Sequence, residues 1–82
     1  DVTINASSGR PVTINSGGSF AMVLDSAQKV GIGVTSPASK LEVDGGDIEI
    51  DDSASGLILR SPNGTRYRVQ VDNSGNLTTT AV

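Results

Sequence analysis

Leu57-Ile58-Leu59-Arg60-Ser61-Pro62-Asn63-Gly64-Thr65-Arg66-Tyr67-Arg68-Val69-Gln70-Val71 decides the fold class. Two strand-like runs flank a turn, and Asn63-Gly64 between them is a strong hairpin signal because both residue types tolerate positive φ. On the second run Tyr67, Val69 and Val71 share one face and Arg66 and Arg68 the other, which is the period of two that a strand imposes. Asp72-Asn73-Ser74-Gly75-Asn76 reads as a further turn before a last short strand, Leu77 to Thr80.

The same period extends toward the N-terminus. Leu41-Glu42-Val43-Asp44 and Asp47-Ile48-Glu49-Ile50-Asp51 alternate about Gly45-Gly46, so Leu41, Val43, Ile48 and Ile50 are expected to face inward and the acids to face water. Val30-Gly31-Ile32-Gly33-Val34 alternates β-branched residues with glycine, a pattern that marks a bulge or the close approach of another backbone. Neighbouring chains of a narrow trimer are the expected source of that approach. Thr35-Ser36-Pro37 ends the element, with Ser36 held extended by the following proline. Phe20-Ala21-Met22-Val23-Leu24 is a continuous apolar run, expected to be a strand covered on both faces, with Asp25-Ser26-Ala27-Gln28 turning after it. Val2-Thr3-Ile4-Asn5 recurs ten residues on as Val12-Thr13-Ile14-Asn15, each copy with Val and Ile on one face. No window of eleven or more residues carries apolar positions at helical spacing.

Composition narrows how such strands could be stabilised. At 82 residues the chain has room for one domain, and one of this size buries only about 60% of its unfolded surface. With no cysteine and no histidine, disulfides and most transition-metal sites are excluded, which leaves association among the usual supports of a small domain. Phe20 and Tyr67 are the only aromatic residues, so few side chains could anchor a globular core. Apolar faces that meet copies of themselves are the natural alternative.

A net charge of −3, with six scattered basic residues, argues against nucleic-acid binding. No apolar stretch is long enough to insert in a membrane, and no segment reads as a signal peptide. A start at Asp1 is expected of a processed product or of a piece excised from a longer chain, and the lack of cysteine does not decide the compartment.

Val30-Gly31-Ile32-Gly33-Val34-Thr35-Ser36-Pro37-Ala38-Ser39-Lys40-Leu41-Glu42-Val43 resembles the VGIGTTSPxxKLxV motif of phage tail fibres, tailspikes and related adhesin-like proteins, with Val34 where that motif usually has threonine. The stretch from Leu57 through Pro62-Asn63-Gly64 to Leu77-Thr78-Thr79-Thr80 is similar to a terminal segment found on many phage structural proteins. Together the two cover about half the chain. The resemblance implies a homotrimer whose strands wrap about one axis, joined to the rest of a virion fibre or capsid, attaching the particle to a host or registering the trimer. In that family the first motif often precedes an auto-cleaving chaperone domain; no such domain is read here, and Ser39-Lys40 is not taken as a Ser-Lys dyad.

Other constellations read as structural. The acids Glu42, Asp44, Asp47, Glu49, Asp51 and Asp52 could suggest a calcium site, but alternate residues on a strand lie about 6.6 Å apart and no complete calcium loop is present, so a solvated face is expected. Without His or Cys, and with serines in turn-like contexts, no catalytic residue is assigned. Gly31 and Gly33 precede no helix and therefore do not make a phosphate loop. The sequons at Asn5, Asn63 and Asn76 are expected by chance. Arg60, Arg66 and Arg68 could contact an acidic host polysaccharide, but inter-chain pairing with Asp or Glu is preferred.

The sequence therefore predicts an all-β chain of short strands and hairpins in an elongated, intertwined trimeric β-fibre, similar to a β-prism or triple β-helix. It is read as one module over 1–82, with a shaft-like repeat at 1–19, a central β region at 20–56 and a C-terminal hairpin and terminal strand at 57–82. Val2, Ile4, Val12, Ile14, Ile32, Leu41, Val43, Ile48, Ile50, Leu57, Leu59, Val69 and Val71 are expected to line the trimer interior. The expected function is a non-enzymatic structural part of a bacteriophage fibre, located in the virion, without cofactor or metal. A glycan-binding fibre tip and a repeat of a bacterial surface adhesin are the alternatives.

Overall fold

Seven strands and no helix make up the computed structural model, which describes residues 1–82. The strands are β1 (Val12–Ser16), β2 (Ser19–Leu24), β3 (Val30–Ile32), β4 (Leu41–Val43), β5 (Leu57–Arg60), β6 (Arg66–Val71) and β7 (Leu77–Ala81). They form sheet A, in the order β1-β2-β3-β4, and sheet B, in the order β5-β6-β7. The chain divides into two units, Asp1–Ile48 and Glu49–Val82, so the division falls inside the stretch read as a central β region.

In the first unit, Gly17 (φ 61°) and Gly18 (φ 80°) form a two-residue loop between β1 and β2. Positive φ at both positions matches the right-handed twist of the flanking strands. Ile14 pairs with Met22 and Asn15 with Phe20, so Ala21 is an extra residue and β2 is bulged there. β2 and β3 are antiparallel, and β3 and β4 are parallel. Parallel neighbours usually need a crossover of about a dozen residues or more, yet Gly33 to Lys40 make this one in eight. Strands of three residues leave only a short distance to return.

That crossover explains the glycines. Val34 passes over Gly31, where an added Cβ would fall on the Val34 carbonyl oxygen and stand 3.1 Å from Cγ1 of both Val23 and Val34. Gly33 (φ 75°) lies against the Asp44 carbonyl oxygen in the same way. A close backbone approach is present, as expected, but it comes from the chain's own crossover. Glu42 fastens the loop by accepting a hydrogen bond from the Ala38 amide at 2.7 Å. Val23, 2% exposed, is the one buried apolar side chain of the structure, with Gly31 and Pro37 also buried. Phe20 and Leu24 remain substantially exposed, so β2 is covered by its own chain on one face only.

Two stretches read as strands are not strands. Val2 to Asn5 and Asp47 to Asp51 have no sheet partner, and Val2, Ile4, Ile48 and Ile50 are exposed. Alternation fixes which side chains share a face, but a strand exists only through hydrogen bonds to a neighbour, and neither stretch pairs with the free edge of β1 or β4.

Three turns share one geometry. In Asp25–Lys29, Ser61–Thr65 and Asp72–Asn76 the first amide donates to the fifth carbonyl, at 2.9, 2.8 and 2.9 Å. The fourth amide donates back to the first carbonyl, at 3.0, 2.9 and 3.0 Å. This is a three-residue loop that needs a left-handed residue at the fourth position. Gly64 (φ 91°) and Gly75 (φ 84°) supply it, while Gln28 (φ 65°) stands there in the first turn. Asn63 has negative φ, so the Asn-Gly signal located the turn but not its type. Because a non-glycine residue costs about 1–2 kcal/mol in this region, Gln28→Gly is expected to stabilise the protein by roughly 0.5–1 kcal/mol after its own entropic cost. The urea midpoint measures this, and no increase would mean that Gln28 is not strained.

Candidate functional site

Sheet A carries its apolar side chains in two rows that cross all four strands. Val12, Leu24, Val30 and Leu41 form one row, and Ile14, Met22, Ile32 and Val43 the other. Val12, Ile14, Met22, Leu24 and Val30, with Val23, line a shallow depression whose surface is almost wholly apolar. The opposite face, Thr13, Val23, Gly31 and Glu42, includes the part that the crossover covers. Five residues expected in a trimer interior, Val12, Ile14, Ile32, Leu41 and Val43, therefore stand together. Met22, Leu24 and Val30 join them; the continuous run at 20–24 hid its own alternation, and only the cross-strand register reveals it.

Sheet B divides in the same manner. One face carries Leu57, Leu59, Tyr67, Val69, Val71, Leu77, Thr79 and Ala81. It brings Leu57, Leu59, Val69 and Val71 together, and Leu59 and Leu77 are 59% and 78% exposed. The other face carries Ile58, Arg60, Arg66, Arg68, Gln70, Thr78 and Thr80, with Arg60 directly opposite Arg66. Gln70 Nε2 donates to the Ser53 carbonyl at 2.9 Å, holding the chain before β5 against this sheet. Gly56 allows the approach, since a Cβ there would meet the Val69 carbonyl oxygen.

The exposed area is large for the mass. The chain exposes 6661 Å², whereas one folded body of 8.3 kDa exposes about 4,600 Å². Two separate bodies of the sizes of the two units would expose about 5,500 Å². The apolar sheet faces contribute to the difference.

Four carboxylates are engaged in local structure. Asp25 accepts the amides of Ala27 and Lys29, Glu42 that of Ala38, Asp52 that of Ala54, and Asp72 those of Ser74 and Asn76. The acids of 42–52 do not gather into a group of three able to hold a metal. The Ala54 amide, then the Ser55 hydroxyl and more weakly Arg68, lower the pKa of Asp52 below 3.8, and the amides of Asn76 and Ser74 do the same for Asp72. A lowered folded pKa gives stability that is present above the unfolded value and lost as pH falls through the folded one. The melting temperature is therefore expected to hold above about pH 5 and to drop below 3.8. An Asp52→Asn, Asp72→Asn variant keeps one acceptor oxygen at each position, enough for the backbone amides, without the charge, and its melting curve should fall less with acid; an identical fall would remove these two groups as the cause.

Comparison with protein families, with curated proteins and with solved structures finds no match to this chain.

Proposed function

We propose that this chain is a structural module of a homotrimeric fibre of the kind bacteriophages carry on their virions. In this reading the apolar faces of the two sheets form the trimer interior, and the module serves trimerisation and host attachment rather than catalysis, with no cofactor. The observation that carries the reading is an eight-residue apolar face on sheet A left open in a chain with one buried apolar side chain. The exposed area exceeds by about 1,200 Å² that of two separate bodies of the units' sizes, comparable to the ~1,000 Å² and upward that each chain buries in an obligate interface. The resemblance of Val30–Val43 and of the C-terminal stretch to phage fibre segments supplies the kind of fibre.

Light scattering coupled to size exclusion tests it. Three chains of 8.3 kDa give about 25 kDa, and that mass is expected across micromolar concentrations. A folded 8.3 kDa monomer would overturn the proposal.

A further inference from the structure

The basic face of sheet B calls for a partner. Arg60 and Arg66 are direct cross-strand neighbours and Arg68 follows on the same face of β6. Like charges directly opposite one another destabilise a strand pair. None of the three guanidinium groups donates a hydrogen bond within the chain. Apart from the weak attraction between Arg68 and Asp52, their cost is not offset locally.

The carboxylates supply the complement. The chain has nine acids, of which Asp25, Glu42, Asp52 and Asp72 are engaged by amides. Of the five that remain, Asp44, Asp47, Glu49 and Asp51 lie within one exposed segment that belongs to no sheet. Half of the six basic side chains, none of which donates a hydrogen bond within the chain, thus share one sheet face. Four of the five unengaged acids lie in one stretch whose backbone is engaged only at the Asp44 amide, which donates to the Ile32 carbonyl at 2.9 Å. Guanidinium groups bind carboxylates in paired hydrogen bonds, the geometry that fixes one register over another.

We infer that the Arg60, Arg66 and Arg68 face of one copy docks against residues 44–51 of a second copy of this chain and sets the register of the assembly. This rests on the homotrimer reading above, and it assigns to charge pairing the specificity that apolar faces alone do not provide.

Charge exchange between copies tests it. One variant carries Arg60→Glu, Arg66→Glu and Arg68→Glu; the other carries Asp44→Lys, Asp47→Lys, Glu49→Lys and Asp51→Lys. Each alone sets like charge against like, so its assembly midpoint is expected to rise at least tenfold. An equimolar mixture should regain assembly, since two of the three contacts in any mixed trimer are then complementary. Such recovery requires contact between copies, because pairing within one chain would gain nothing from mixing. If each variant alone assembles like the parent, or if mixing restores nothing, the inference fails while a trimeric parent keeps the fibre reading. A monomeric parent would sink both. Retention of the parent on an immobilised polyuronate, lost in the Arg→Glu variant with assembly unchanged, would reassign the face to an external acidic polysaccharide.

Discussion

Leu24→Asp is expected to abolish assembly while leaving the fold of the single chain in place. Leu24 sits on β2 between Val12 and Val30 in an apolar row, and it is 41% exposed. In an isolated chain the new carboxylate keeps contact with water, so the cost is limited to about 1 kcal/mol of lost packing and strand preference. In the trimer three such carboxylates would enter the apolar interior, each with a desolvation penalty of several kcal/mol and no partner. The expected result is a shift from about 25 kDa (3 × 8.3 kDa) to 8.3 kDa, with a rise in the assembly midpoint of more than about a hundredfold. Thr13→Asp, on the opposite face of β1, is the matched control and should keep the trimer mass. Equal behaviour of the two variants would show that the apolar face of sheet A is not the interface.

Gly31→Ala should cost the most stability of any single methyl group added to sheet A. The new Cβ would fall on a backbone oxygen, that of Val34, and would press on Val23, the buried side chain. A backbone atom cannot rotate away as a long side chain does, so the crossover from Gly33 to Lys40 must shift as a whole. Overpacking typically costs about 1–3 kcal/mol, and this site belongs at the upper end. Gly45→Ala provides the comparison, because Gly45 has φ 82° with nothing within 4 Å of an added Cβ. It should lose only the left-handed penalty, about 1–2 kcal/mol. Urea midpoints of the two variants measure the difference, and a Gly31→Ala midpoint equal to or above that of Gly45→Ala would mean that the crossover is not packed on β3.

Strand class, most of the turns and, outside the continuous apolar run at 20–24, the side chains that share a face were legible in the sequence, because the period of two is a local property of the backbone. The pairs Leu57/Leu59 and Val69/Val71, with the arginines opposite them, follow from the hairpin at Ser61–Thr65 alone. Tertiary structure decided which alternating segments became strands, since Val12–Ser16 found β2 as a partner and the similar Val2–Asn5 found none. It also decided why Gly31 and Gly33 are glycines. The atoms that exclude a side chain there are the carbonyl oxygens of Val34 and Asp44, brought near by a parallel crossover. Hydrogen-bond partners distant along the chain, and the register between them, are set by the free energy of the whole sheet, and no local pattern encodes them.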